Sequence, residues 1–149
     1  MPDSTQDTLD HIGKVQARIQ ECIAALTVRA ARHDASKLQE PEKVGYDALT
    51  AKLADIVYGS DDYRAALRAA QPVIDHHYYV NDHHPEHFEN GINDMSLLSI
   101  LEMLADWKGA SERMKQGSIA ASLAHNRERF AIDTQLLSIL ENTVKELGW

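Results

Sequence analysis

Residues 95–114, MSLLSILEMLADWKGASERM, carry apolar side chains at Leu97, Leu98, Ile100, Leu101, Met103, Leu104 and Trp107. On a 3.6-residue period these positions surround a helix almost completely, which predicts the central helix of a bundle, with Asp94 as its N-cap. Upstream, Leu9, Ile12, Val15, Ile19, Ile23 and Leu26 recur in steps of three and four and predict a long first helix from about Ser4 to Leu26. Thr27-Val28 reads as a weak point, after which VRAARHDASKL reads as a short helix ending before Pro41. Pro41 suits the first turn of the next helix, whose predicted buried face is Val44, Leu49, Leu53 and Ile56, up to a Tyr58-Gly59-Ser60 turn. Ser60 can cap a short helix through Ala70, and Pro72 opens PVIDHHYYVNDHH. Pro85 disfavours helix at His84, HPEHFENGIND reads as a loop, and helices over about Ser118–Phe130 and Asp133–Leu147 complete the chain. The expectation is an all-α, single-domain helical bundle of about six to seven helices, with residues 1–149 forming one helical metal-binding domain.

Composition agrees with that class. Of 149 residues, only seven are glycine and four proline, fewer than a turn-rich β-protein uses. No apolar run approaches the roughly 20 residues of a membrane span, and the N-terminus MPDSTQDTLD is polar and acidic, unlike a signal peptide. A cytoplasmic protein with no membrane partner is expected. The formal net charge of −8, with no segregated basic patch, opposes sequence-independent binding of nucleic acid. The single cysteine, Cys22, allows neither an intramolecular disulfide nor a thiolate zinc site, so any metal must be held by histidine and carboxylate.

The histidines supply the chief clue. Five of the eight (His76, His77, His83, His84 and His87) fall within twelve residues. Imidazole with carboxylate and no thiolate is the donor set of hydrolytic and oxygen-activating centres. His77, Asn81 and His84 follow i, i+4, i+7, and His76 and His83 form a second set rotated by about one residue. One regular helix could not aim both sets at one centre. His33-Asp34 could join a site only where that site wraps a helix corner. Glu102 and Asp106, four apart on the most apolar helix, share a face that is mostly buried; such a pair needs protons, cationic partners or a metal. The plainer reading is surface or capping histidines, and carboxylates paired with lysine or arginine.

His33-Asp34-Ala35-Ser36-Lys37 resembles the His-Asp-x-x-Lys element of the HD superfamily of metal-dependent phosphohydrolases, and Leu104-Ala105-Asp106 resembles that superfamily's late ligand element. The histidines between them resemble those holding a second metal in dinuclear members. More closely, the chain resembles a family of small uncharacterised bacterial and phage proteins, through HDxSKLxxPE, YGSxxY, DHHYxxNxHHPEHFxNGIxDM and EMLADWKGAS, over roughly residues 9–142. The HD resemblance implies an HD-domain-like fold, His33, Asp34 and Asp106 on one metal with Asp34 bridging, and His77, His83 or His84 on a second. It implies one or two divalent transition metals per chain (Fe, Mn, Ni or Zn) and Lys37 facing substrate phosphate. The superfamily carries a further upstream histidine; the only one here, His11, lies too far along the first helix to join and is left outside the set.

The expected function is metal-dependent hydrolysis of a nucleotide or other small phosphate ester, with Glu86, His87 or His84 moving protons, Arg64 neutralising phosphate, and Glu102 orienting a ligand histidine. Tyr58 and Tyr63 could stack on a base or simply pack between helices. The alternatives are an HD-type di-iron oxygenase and a non-catalytic module, either stapled by a structural metal or devoted to protein interaction. An apolar surplus on the last two helices hints at a homodimer.

Overall fold

The computed structural model describes residues 3–57, 60–113 and 117–149, so Tyr58 and Gly59 of the expected turn lie outside the described residues. The described residues form seven α-helices and no strand, which is the all-α class read from the periodicity. The helices are α1 (Thr5–Arg32), α2 (Glu42–Leu53), α3 (Asp61–Ala69), α4 (Gln71–Val80), α5 (Leu97–Glu112), α6 (Ile119–Arg129) and α7 (Thr134–Leu147), with three short 3₁₀ turns. The chain divides into two compact units, one up to His33 and one from Asp34 onwards.

The first unit is one helix. It does not break at Thr27: the Thr27 hydroxyl donates to the Ile23 carbonyl at 2.8 Å, a bond made inside a regular helix, and the Val28–Arg32 stretch continues the turn. His11 and His33, 22 residues apart on one rod, therefore stand about 33 Å apart along the axis, which keeps His11 away from His33. No residue of α1 is buried.

In the second unit, Ser60 caps α3 as expected, and Ser118 and Asp133, at the expected starts of the last two helices, cap α6 and α7 by accepting backbone N–H bonds. The cap of α5 is Ser96 rather than Asp94: the Ser96 hydroxyl accepts from Ser99 N–H, while Asp94 closes the preceding 3₁₀ turn and accepts from Asn90. The expected short helix over Val28–Leu38 is instead the end of α1 followed by a 3₁₀ turn, Ala35–Leu38. Between them Asp34 sits at φ +55°, a left-handed conformation that Asp tolerates better than most residues.

α5, α6 and α7 surround the apolar core of Met103, Leu104, Trp107, Ile119, Leu123 and Leu140, with Trp107 stacked on Phe130. α2 packs on α3 and α4, and a Cβ built at Gly45 would fall 2.8 Å from Val73 Cβ, so the missing side chain lets α2 and α4 approach. The expected face of α2 is met in part: Leu49, Leu53 and Ile56 are half-buried. Val44 is exposed, whereas Glu42 is buried completely, because the close crossing brings it hydrogen-bonding partners from α4.

Candidate metal centre

The site is built where backbone regularity ends. α4 stops at Val80, with Asn81 extended at ψ 108°, and His84 is extended ahead of Pro85. Leaving the helix removes the conflict between the two histidine sets: His83 and His84 fold back toward His77 on the last turn of α4. Asp34, His77, His83 and His84 each offer one ligand atom, all within 4.8 Å of one another. His77 and His83 are buried; Asp34 and His84 are half-buried.

Carboxylates set the orientation of two of these imidazoles. His77 Nδ1 lies 2.9 Å from Glu42 Oε2, and His83 Nδ1 lies 3.2 Å from Glu102 Oε1. An ionised carboxylate only accepts, so each Nδ1 carries the proton. In the neutral rings Nε2 then presents a lone pair. Those Nε2 atoms lie 3.3 Å (His77) and 3.5 Å (His83) from a single oxygen, Asp34 Oδ1, and His84 Nε2 lies 2.9 Å from His77 Nε2. Lone pairs directed at a carboxylate oxygen repel unless positive charge sits between them, as protons or as a metal. Ligands bound at about 2.0–2.2 Å around one ion stand roughly 3.0–3.6 Å apart. The two distances to Asp34 Oδ1 fall in that range and the His84–His77 distance lies just below it, so the three imidazoles and one carboxylate fit a divalent transition metal.

Glu42 is the functional residue that the sequence reading missed. It accepts from the Ser36 hydroxyl at 2.8 Å and bonds His76 Nδ1 at 3.0 Å as well as His77. Burial alone would raise its pKa, but the bonds from Ser36, His76 and His77 outweigh burial and hold it below its ordinary value. Asn81 Nδ2 donates to Ser36 Oγ and to the His77 carbonyl, tying the 3₁₀ turn to the end of α4. The only sequence sign of this role is a carboxylate one residue past Pro41.

The remaining predicted site residues fall as follows. His33 is the C-cap of α1 and the chain neighbour of Asp34. A carboxylate oxygen of Asp106 lies within 4.8 Å of one of Asp34. Lys37 Nζ binds Asp34 Oδ2 and lies over the Tyr46 ring. Burial would raise the Asp34 pKa, yet donors facing it, His77 and His83 when both ring nitrogens carry protons and the Lys37 ammonium, hold it far below the usual carboxylate range. Arg64 pairs with Asp61 on the exposed start of α3. Glu86 and His87 lie outside the four-residue group and line a cavity of about 450 Å³ with Tyr78, Gln71 and Arg129. There Arg129 donates to Glu86 and to the Tyr78 hydroxyl. Tyr78 joins the two places, since its ring also stands 4.7 Å from that of His84.

Burial, with the neighbouring His83 and His77, lowers the His84 pKa to about 3; Asp106 and Asp34 act in the opposite sense. The unfolded chain binds a proton at His84 below about 6.5, whereas the folded chain does so only near 3. Across that window the unfolded state holds more protons, so stability rises with pH and falls on acidification. The urea midpoint of the metal-free protein is therefore expected to drop as pH falls below about 6.5. His84→Gln should flatten that dependence, and an unchanged slope in the variant would show that His84 is not its source.

These features define an all-α protein with a His/carboxylate cluster able to hold a metal ion. The chain belongs to the family of unknown function DUF5662, whose sequence profile matches residues 2–146. No curated protein and no solved structure matches it. Among the described residues, no helix is long and apolar enough to cross a membrane.

Proposed function

We propose that this protein is a metal-dependent phosphohydrolase acting on a nucleotide or another small phosphate ester, at a centre held by Asp34, His77, His83 and His84. The observation that carries the reading is the convergence of two carboxylate-oriented imidazoles on Asp34 Oδ1 at 3.3 and 3.5 Å. A divalent cation bound there would acidify a water and offset charge on phosphoryl oxygens. Glu42 and Glu102 keep His77 and His83 in the tautomer that leaves Nε2 for the centre. Lys37, on Asp34 Oδ2, adds positive charge at the rim. The cavity beyond Tyr78 gives room for the rest of a substrate, and there Glu86 and His87 can exchange protons while Arg129 favours an anion. Asp106, by its resemblance to the late HD ligand element, extends the same centre toward a dinuclear version.

The test is elemental mass spectrometry of tag-free protein, followed by phosphate release from a panel of nucleotides and small phosphate esters after loading with Mn, Fe, Ni or Zn. One or two ions per chain together with phosphate release are expected. Oxygen uptake without phosphate release would replace the hydrolytic reading with an oxidative one. Bound metal with no turnover, and unfolding on chelation, would reduce the ion to a structural staple.

A further inference from the structure

We infer that α1 is a self-association element that pairs antiparallel with α1 of a second copy of this chain. The helix has 28 residues, about 42 Å, and buries none of them. Most of its apolar stripe is open: Leu9 is 55% exposed, Ile12 44%, Ile19 52% and Ile23 48%, with Leu26 half-buried. An isolated helix gains little from such a stripe, because amphipathic helices draw most of their stability from covering the apolar face.

The spacing identifies the kind of cover. Leu9, Gln16 and Ile23 occupy one heptad position, and Ile12, Ile19 and Leu26 the other, so the stripe is a two-position seam repeating every seven residues. A twofold axis between Gln16 and Ile19 would set Leu9 against the second copy's Leu26, Ile12 against its Ile23 and Gln16 against its Ile19. Side chains of equal size then meet at every apolar layer. Beside the seam, Val15 would face the second copy's Cys22. Charge favours the same direction. Asp7 lies in the first turn and Arg29 and Arg32 in the last, so antiparallel pairing brings acidic ends to basic ends and opposes the helix dipoles. Parallel pairing would place like ends together.

Sedimentation equilibrium of the full chain is expected to give twice the 16.7 kDa chain mass. Ile19→Asp, on the exposed seam, should return it to a monomer whose loss of helical circular dichroism does not exceed the share of the 28-residue α1. Gln16→Leu, which removes the polar layer, should tighten the dimer about tenfold or more. A spin label at Gln6→Cys in a Cys22→Ser background fixes direction. Antiparallel pairing puts the two labelled positions about 35 Å apart along the axis, and parallel pairing about 10 Å apart across it. A monomeric wild-type chain, a dimer that survives Ile19→Asp, or the short label distance would each overturn the inference.

Discussion

Asp34→Asn is expected to abolish metal binding at the proposed centre while leaving the fold intact. Asp34 Oδ1 is the oxygen on which His77 and His83 converge, and the negative charge there is what a divalent cation and two neutral imidazoles require. Groups that merely support a ligand are worth about 10–100-fold in metal affinity, so loss of the carboxylate itself should cost at least about a hundredfold. The fold should survive for two reasons. Asparagine is, with aspartate and glycine, among the few residues at ease at φ +55°. In the metal-free chain its amide can also donate to an imidazole Nε2 where the carboxylate oxygen cannot. Asp34→Ala lacks both advantages and should lose stability as well as metal. Competition against a chelating dye, with circular dichroism alongside, measures both quantities. Asp34→Asn protein that binds metal as tightly as wild type would place the ion elsewhere.

The fold was legible because its signals are local. The cap at Ser60, the helix starts at Ser118 and Asp133 and the apolar period of α5 each need only a few neighbouring residues, and all appear where the sequence suggests. Misreadings came where two local signals competed. Thr27-Val28 looked like a break because β-branched residues are weaker helix formers, but the Thr27 hydroxyl bonds within the helix. Asp94 and Ser96 are both good caps two residues apart, and the 3₁₀ turn consumes the first.

The site was only partly legible. Its histidines advertised themselves by density, and Pro85 by its effect on the backbone. Which imidazoles converge depended on the chain leaving α4 at Asn81, a three-dimensional event that heptad arithmetic on one helix forbids. Arg129 meets Glu86 across 43 residues of sequence, and no spacing rule reaches that far.

Glu42 is where the distance between sequence and site is greatest, and its replacement should have the second large effect. Its carboxylate has no exposed surface and receives Ser36, His76 and His77 at once. Glu42→Ala leaves those donors facing a cavity. The partly exposed His76 can turn to water, but buried His77 Nδ1 is left with only the Ser36 hydroxyl at 3.3 Å, and a poorly satisfied buried donor costs up to about 1–3 kcal/mol. The second consequence is chemical. With only the Ser36 hydroxyl, at 3.3 Å, left as an acceptor at Nδ1, the His77 proton is held off Nε2 less firmly, and the lone pair turned toward Asp34 is lost in part of the population. Metal affinity should then fall about 10–100-fold, beyond what the stability change explains. Glu42→Gln retains one acceptor oxygen and should lie between wild type and alanine in both measurements. Urea unfolding of the metal-free proteins isolates the first effect, and dye competition under conditions where every variant is folded isolates the second. If Glu42→Ala lowers the urea midpoint but binds metal like wild type, Glu42 merely braces α2 against α4. If both fall, with glutamine intermediate, the carboxylate is part of the centre, acting through His77 without touching the ion.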